Sequence, residues 1–197
     1  KLAFKAIHFT NKDYLNPIWK NRPSLPSEPA FLVEEEFIGQ SIASKLAAVR
    51  KAMKQLHVSH HLISSLDDMA WLFNIRGSDV KYNPVVLSFA LINENEANLY
   101  IYKTKLTATN QAILAQNGVI IKAYDKVGED LQNLSSENSI LIDPKRNCFA
   151  MYKLIPNSVK RILDTNPSTN LKAIKNDVEV NNIRKAMVKD GVAITQF

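Results

Sequence analysis

The chain has 197 residues, 46% of them hydrophobic and 22% charged, and a formal net charge of +6. This length and composition are ordinary for a globular protein with one good core. No apolar run is long enough for a membrane-spanning helix, and the single cysteine, Cys148, excludes an intrachain disulfide and fits a reducing compartment. Nothing near Lys1 resembles a signal peptide, and because the first residue is not Met we expect a fragment or a processed product.

The positive charge is spread along the chain rather than gathered in one basic patch. Its nearest approach to a cluster is Lys45, Arg50, Lys51 and Lys54, all within one predicted helix. We interpret these four residues as the solvated face of that helix. Binding of nucleic acid is the minor alternative, and it predicts an affinity that falls steeply with salt.

The first 37 residues do not read as a complete unit. Phe4, Ile7 and Phe9 fit the last strand of something upstream. Four prolines then fall within residues 15–29, where they hold the chain extended and prevent a continuous helix. We therefore predict a linker in which Trp19 is an anchor packed on a domain surface, and stacking of Trp19 on a ligand is the alternative.

A helix is predicted over residues 41–57, with Ser41 as its N-cap. Apolar residues at helical spacing make one face of it. They are Ile42, Leu46, Val49, Met53 and Leu56. A short strand over residues 58–64 follows and contains His60 and His61. Neighbouring strand residues point to opposite faces, so this pair cannot close on one metal ion, and we predict one packed and one exposed histidine.

Residues 66–93 form a predicted helix–loop–strand corner that begins with two acids. Asp67 and Asp68 have two interpretations: paired carboxylates for catalysis, or acids that favour a helix start. Acids at a helix start accept hydrogen bonds from free N–H groups and complement the helix dipole. We favour capping by one of them.

The loop of this corner gathers polar side chains after the helix. Arg76, Asp79 and Asn83 fit a hydrogen-bonded network, and Gly77 allows the turn. Alternatively, Arg76 faces a domain interface or the entrance to an active site. The residues assigned to a domain interface or loop network are Asp67, Asp68, Trp71, Asn74, Arg76 and Asp79.

Strands and helices alternate along the remaining chain. Two apolar runs, over residues 85–93 and 97–103, predict a hairpin. Helices are predicted over residues 107–116, 126–134 and 147–155, and strands over 119–121, 140–142 and 159–163. This alternation predicts an α/β fold, with a mixed β-sheet flanked by helices on both faces.

A second linker is predicted over residues 166–170, and a final helix follows it. Asn176 and Glu179 have capping-box spacing. Ile183, Met187 and Ile194 make an apolar stripe along the helix. That stripe would be exposed, and able to drive self-association, wherever its natural partner is missing.

Three segments carry a resemblance to one family. The corner, LDDMAWLFNIRGSDVKYNPVVLSFALI, resembles the middle domain of three-domain Xaa-Pro aminopeptidases (aminopeptidase P), within the pita-bread superfamily of creatinase/prolidase-like metallopeptidases. The pattern Ile18-Trp19-x-x-Arg22-Pro23-x-Leu25-Pro26 resembles the segment that joins the first two domains of that family. Residues 171–197 resemble the opening helix of its catalytic domain, although Asn182, Ile183 and Met187 replace a usual Gly, Met and His.

The resemblance implies a domain organisation and a fold. Residues 1–37 would be the tail of an upstream domain and a Pro-rich linker, residues 38–165 a creatinase/prolidase N-terminal-like middle domain, and residues 166–197 a linker and the first helix of the catalytic domain. The implied fold of the middle domain is again a mixed sheet flanked by helices.

The resemblance also implies an activity that this chain does not carry by itself. The family hydrolyses the bond between an N-terminal residue and a following proline, using two metal ions, typically manganese, that activate water. The metal ligands lie in the catalytic domain, so no catalytic, cofactor-binding or metal-binding residue can be assigned here. No Gly-rich phosphate loop, Gly-x-Ser-x-Gly elbow or His-Glu-x-x-His motif is present either.

We therefore expect a non-catalytic scaffold domain of a cytoplasmic, metal-dependent Xaa-Pro aminopeptidase. Its expected partners are its own upstream and catalytic domains, and the parent would act on short proline-containing peptides. Homodimer formation is left open, and neither nucleic acid nor a membrane is expected as a partner. The alternative is a scaffold or oligomerisation module of a catalytically dead relative.

Overall fold

The computed structural model describes residues 12–197. The predicted upstream strand at Phe4, Ile7 and Phe9 lies outside the described residues. The strands are β1 Phe31–Leu32, β2 His60–Ile63, β3 Ile75–Arg76, β4 Phe89–Asn93, β5 Ala97–Tyr100, β6 Val119–Lys122, β7 Ser139–Ile142 and β8 Lys160–Leu163. The helices are α1 Glu35–Ile38, α2 Ile42–Gln55, α3 Leu66–Leu72, α4 Ala108–Gln116, α5 Val127–Gln132, α6 Phe149–Leu154, α7 Pro167–Ala173 and α8 Asp177–Gln196.

Six strands form one mixed sheet in the order β6-β5-β4-β2-β7-β8. Strand β4 is antiparallel to both of its neighbours, β2 and β5, whereas the other pairings are parallel. Five of the six strands therefore run in one direction and end at the same edge, which we call the carboxyl edge. The opposite edge carries the turn between β4 and β5.

Alternate strand residues face two separate hydrophobic layers, as the period of a strand requires. Ile63 and Ile92 face the layer built with α2, α3 and α4. Leu62 and Leu91 face the layer built with α5 and α6. The predicted α/β fold with helices on both faces of a mixed sheet is confirmed.

Local signals place most helix ends correctly. Ser41 Oγ accepts a hydrogen bond from the Ser44 N–H at 3.1 Å, so it is the N-cap of α2. Gly118 takes a left-handed φ of 75° just after α4. Asn176 and Glu179 form the predicted capping box at the start of α8. These ends depend on residues within four positions of each other, which is why sequence spacing suffices to predict them.

Four features differ from prediction. Lys45 is buried rather than solvated, with a relative exposure of 1%, so the basic face of α2 is smaller than expected. Residues 166–170 are not an extended linker, because α7 begins at Pro167 and both Asn166 and Ser168 are fully buried. The apolar run from residue 85 becomes a sheet strand only at Phe89.

The fourth difference lies in the segment predicted as the end of the first linker. Strand β1 pairs with β3 in a small second sheet, and the buried Ala30 donates its N–H to the Lys105 carbonyl. Trp19 is about half exposed, with the Arg22 guanidinium 5.8 Å from its ring centroid.

Of the two neighbouring histidines in β2, His61 is fully buried, as predicted for one of the pair. His60 is partly buried rather than exposed.

In the described part of the chain, no helix is both long enough and apolar enough to cross a bilayer.

Candidate functional site

The polar residues singled out in the corner meet at the carboxyl edge of the sheet. Helix α3 begins there after β2, and the chain also leaves β7 and β8 there, at Asp143 and Asp164. In α/β sheets this edge is the usual place for binding sites, because loops converge on it. The charged groups at this edge are therefore the first candidates for a functional site.

Asp68 is the centre of a buried cluster. Its carboxylate is inaccessible to solvent and accepts hydrogen bonds from Ser65 Oγ, from Asn166 Nδ2 at 3.1 Å and from Thr169 Oγ1 at 3.1 Å. The Lys172 ammonium completes the set at 2.7 Å. Three of these four donors belong to residues 166–172, so Asp68 binds α7 to the start of α3.

The pKa of Asp68 reflects two opposing effects, burial and hydrogen bonding. Burial by itself raises the pKa of this carboxyl, but the hydrogen bonds from Lys172, Ser65 and Asn166 outweigh burial and hold the pKa below its ordinary value of 3.8. The group is therefore ionised at neutral pH. A carboxylate that is ionised and surrounded by donors is suited to hold those donors in place.

Asp67 lies on the outer side of the same cluster. It forms ion pairs with Lys172 and, at 3.3 Å, with Arg146. Asp143, at the end of β7, accepts the backbone N–H of Asn166 at 3.1 Å. The predicted capping role is thus wrong, because the hydrogen bonds of both Asp67 and Asp68 come from side chains. The donors belong to Ser65 at the N-cap of α3, to Arg146, and to α7 and its own N-cap.

Lys45 forms a second buried polar contact, between α2 and the end of α3. Its ammonium donates to the Trp71 carbonyl at 2.9 Å and to Asn74 Oδ1 at 2.6 Å, and lies 4.9 Å from the Trp71 ring centroid. Asn74 takes a left-handed φ of 52°, and its Nδ2 donates to the Gln40 carbonyl. Asn74 therefore connects α2, α3 and the segment between α1 and α2.

Burial lowers the pKa of Lys45 to about 8. Glu179 and Glu35 act against this shift, whereas Arg76 adds to it. Those three charged groups come from α8, α1 and β3. Lys45 is therefore close enough to the start of α8 to respond to its charge.

Arg76 and Asp79 do not join in the single network predicted from the sequence. Arg76 donates to the carbonyls of Ala70 and Ile75 and so closes the end of α3. Asp79 instead forms a fully buried ion pair with Lys105 at 2.5 Å and accepts the Leu87 N–H. The six predicted residues thus fall into four groups around α3. The Asp67–Asp68 pair, the Trp71–Asn74 pair and Asp79 each bind a different segment of the chain, whereas Arg76 bonds to the end of α3 and to its own neighbour.

Helix α8 is attached to the domain only through its first turns. Asn176 Nδ2 donates to the Ile38 carbonyl at 2.7 Å, and Asn182 Nδ2 donates to the Phe37 carbonyl at 2.9 Å. Gly39, with a φ of 73°, makes room for this contact, because a Cβ there would lie 2.8 Å from Asn176 Oδ1 and from Val178 Cβ. The rest of α8 has no buried residue.

The arrangement has the chemistry of a structural junction. Asp68 is already saturated by four donors, which leaves no carboxylate pair free to act on a substrate. Among residues 12–197, no group of three or more His, Cys, Asp or Glu side chains is placed to hold a metal ion. The ion pairs of Asp67 and Asp68 at this edge join segments that lie far apart in the sequence.

Sequence reasoning missed the partners at this junction, although two signals were available. Lys45 follows Ile42 by three residues and precedes Val49 by four, which places it on the apolar stripe of α2. Asn166 followed by Pro167 is the signature of a helix N-cap with proline at the first helical position. Nothing local indicated that Lys172 and Lys105 pair with Asp68 and Asp79.

The comparisons with known proteins agree on one family. The model of the Creatinase/Prolidase N-terminal domain matches residues 21–179. "Probable Xaa-Pro aminopeptidase P" of Chaetomium globosum is 34% identical over 99% of this chain and 32% of its own length. "Aminopeptidase P1" of Arabidopsis thaliana is 31% identical over 95% of this chain and 33% of its own length. The chain therefore spans about a third of these relatives.

A solved structure supports the same assignment. The X-prolyl aminopeptidase of Caenorhabditis elegans, described as a cytosolic enzyme with a di-nuclear active site, matches with a TM-score of 0.88 and 28% identity. The match covers 94% of this chain and 31% of that protein. The fold similarity thus extends over nearly all of the described residues.

The first prediction concerns the buried carboxylate. Asp68→Asn should lower the free energy of unfolding by about 2 kcal/mol at pH 7, because Lys172 loses a buried partner. Asp67→Asn is the matched control; its side chain is 52% exposed, and we expect a loss below about 0.5 kcal/mol. Urea titration followed by tryptophan fluorescence measures both, and equal losses would contradict the assignment.

The pH dependence gives the same prediction a second readout. The folded pKa of Asp68 lies below 3.8, so its contribution is fully present above pH 3.8 and disappears as the pH falls through the folded value. The stabilities of the unchanged chain and Asp68→Asn should therefore converge in strongly acidic buffer. A stability difference that persists there would show that the charge is not responsible.

The second prediction concerns the docking of α8. Gly39→Ala should detach the first turn of α8, because the new methyl group meets Asn176 and Val178. Gly118→Ala is a matched control: it has a similar φ of 75° but nothing within 4 Å of the new Cβ. Both variants carry left-handed strain of about 1 kcal/mol. Only Gly39→Ala should accelerate amide hydrogen exchange over residues 176–182, and equal exchange in the two variants would refute the contact.

The third prediction concerns Lys45, the buried lysine of α2. Its pKa rises from about 8 in the folded chain to the ordinary 10.5 on unfolding, so the unfolded state binds more protons between these values. Stability should therefore increase from pH 8 to 10.5 relative to Lys45→Met, by at most about 3 kcal/mol. Urea titrations of both chains across this range measure the difference. A constant or shrinking difference would mean that Lys45 is not desolvated.

Proposed function

The chain belongs to the Creatinase/Prolidase N-terminal domain family, and on that premise we propose that it is the non-catalytic middle domain of a metal-dependent Xaa-Pro aminopeptidase. In this proposal residues 38–165 form the domain, residues 1–37 lead from an upstream domain, and residues 166–197 lead into the catalytic domain. Its task is to hold those neighbours at a fixed distance and angle. The parent would remove an N-terminal residue that precedes proline in short peptides.

The observation that carries the proposal is the half-docked helix α8. Its first turns are clamped by Gly39, Asn176 and Asn182, whereas its later apolar residues face outward. Ile183, Met187 and Ile194 are 47%, 60% and 70% exposed. A helix that is anchored at one end and offers an apolar stripe at the other is suited to join two bodies.

The buried cluster around Asp68 explains why such a joint would be stiff. Helix α7 is held by charge-assisted hydrogen bonds to Asp68 and Asp67, and it ends only three residues before α8 begins. Interactions of this kind are short, directional and strong when water is excluded. Fixing α7 on α3 would therefore restrict the directions in which α8 can leave the domain.

The metal ions of the proposed activity do not belong at this junction. The Caenorhabditis elegans relative is described as having a di-nuclear active site. The acids here do not fit such a site, because Asp67 and Asp68 already share Lys172 and the other donors of the cluster. We therefore assign the two ions, which we propose to be manganese, to the downstream domain and derive no step through them.

Three further parts of the proposal follow the relatives. The described cytosolic location of the Caenorhabditis elegans enzyme supports a cytoplasmic protein. Short proline-containing peptides would be substrates of the parent, not of this chain. A homodimer could use the exposed apolar stripe of α8 as part of its interface. That would require the catalytic domain to leave the stripe uncovered.

The fourth prediction tests where the chemistry lies. With added manganese, this chain should leave an Ala-Pro-Ala peptide intact, whereas the longer protein that contains it should release alanine. Chromatography of the free amino acid measures both reactions. Hydrolysis by the chain alone would overturn the proposal, and inactivity of the longer protein would instead favour a catalytically dead relative.

A pair of variants distinguishes a defect in positioning α8 from a general loss of folding. In the longer protein, Gly39→Ala should lower kcat/KM by about tenfold by misplacing α8, while Gly118→Ala should leave it unchanged. Circular dichroism at the assay temperature controls for loss of fold. Equal activity of the two variants would refute the positioning role of the α8 contact.

A further inference from the structure

A cleft of about 690 Å³ lies at the opposite edge of the sheet from the junction. It is formed by the second half of α2, by the chain entering β2, and by the turn between β4 and β5. Its volume falls within the range of small-molecule sites. No residue of α7 or α8 lines this cleft.

One wall of the cleft is cationic and belongs to α2. Arg50, Lys51 and Lys54 line it. Arg50 is fixed in place, because its Nε donates to the Asn93 carbonyl at 3.0 Å. Its Nη2 is buried and has no hydrogen-bond partner, although a buried guanidinium donor normally has one.

The facing wall is anionic and belongs to the β4–β5 turn. Glu94 and Glu96 line it, and Asn93 Oδ1 accepts the N–H groups of Asn95 and Glu96 and so fixes the turn. Among residues 12–197, no ion pair includes Glu94, Glu96 or any of the three cations opposite. The two walls therefore present opposite charges that do not neutralise each other directly.

The floor of the cleft supplies apolar surface and one oriented imidazole. Ala47, Met53 and Val58 give the apolar part. Ser59 Oγ donates to the Ser139 carbonyl, so the hydrogen bond of 2.9 Å between Ser59 Oγ and His60 Nδ1 is donated by the imidazole. The proton of neutral His60 is thereby placed on Nδ1, and Nε2 is left as an acceptor.

We propose that this cleft binds a small zwitterion with a free α-carboxylate and a free α-ammonium, the chemistry shared by amino acids and short peptides. The carboxylate bonds to the guanidinium of Arg50 and lies near Lys51 and Lys54. The ammonium lies at Glu94 and Glu96. A ligand of both charges satisfies both walls at once, whereas a simple anion or cation would satisfy one wall and be repelled by the other.

This site is independent of the proposed aminopeptidase scaffold. Its residues do not take part in the junction around Asp68 or in the docking of α8. It can therefore be tested on this chain alone, without any catalytic activity. Failure of binding would leave the scaffold proposal intact, and inactivity of the parent would leave the cleft proposal intact.

The fifth prediction is a titration with triglycine followed by backbone amide NMR. Saturable shifts are expected at Lys51, His60 and Asn95, with an affinity in the millimolar range. N-acetyl-triglycine and triglycine amide, which each lack one charge, should bind about fivefold to tenfold more weakly. Glycine separates the two sources: equal binding of glycine indicates an amino acid site, and weaker binding indicates a peptide site.

Variants test the contribution of each wall of the cleft to binding. Arg50→Met should remove binding, and Arg184→Met, at an exposed position on α8, is the matched control that should retain it. Because Arg50 also bonds to Asn93, that variant could lose its fold. Glu94→Gln with Glu96→Gln keeps the Arg50 bond, and it should bind triglycine and N-acetyl-triglycine equally.

Three outcomes would overturn the proposal. They are the absence of saturable shifts at tens of millimolar triglycine, equal binding of the charged and blocked peptides to the unchanged chain, and shifts confined to residues outside the cleft. Preferential binding of triglycine over both blocked peptides, abolished by the glutamine pair, would establish it.

Discussion

The fold depends on the need to compensate one buried negative charge. Asp68 has no exposure to solvent, and an ionised carboxylate in such a place is costly unless donors surround it. One of its donors, Ser65, is local, and the others come from about 100 residues further along the chain. Folding of the α3 corner therefore requires α7 to be in place. Helix α7 is held against α3 by these charged and polar contacts, in addition to its few apolar ones.

The same constraint recurs around α3 with other partners. Lys45 ties α2 to the end of α3, and Asp79 with Lys105 ties the loop after β3 to the exit of β5. Each of these charges is buried and each bonds to a distant segment. Truncating one partner would leave the other charge buried and unpaired. This would lower the free energy of unfolding by more than the loss of an exposed ion pair does. Such a set of contacts favours a single, stiff arrangement of the segments around α3.

The two edges of the sheet contrast in how they treat charge. At the carboxyl edge, opposite charges from different segments meet and pair, as Asp68 does with Lys172. At the opposite edge, the charges of α2 and of the β4–β5 turn stand across a cleft without pairing, and Arg50 keeps a buried donor without an acceptor. A surface that is satisfied internally is suited to structure. A surface that leaves rigid, opposite charges apart is suited to recognise another molecule.

The sequence by itself determined the elements whose causes are local. Helices α2, α4 and α8 follow from apolar spacing and from caps within four residues, the β4–β5 hairpin follows from two apolar runs around a polar turn, and the α/β class follows from their alternation. The corner motif also sufficed to indicate the family. Only the tertiary structure decided the roles of the charged residues. Lys45 is buried because its ammonium donates hydrogen bonds to Asn74 and to the Trp71 carbonyl. Asp68 holds α7 in place instead of capping a helix, because Lys172 of α7 forms an ion pair with it. The partners of such groups lie far apart in sequence, and residue type alone predicts exposure for a charge. Burial of a charge is determined by the partner that folding brings to it.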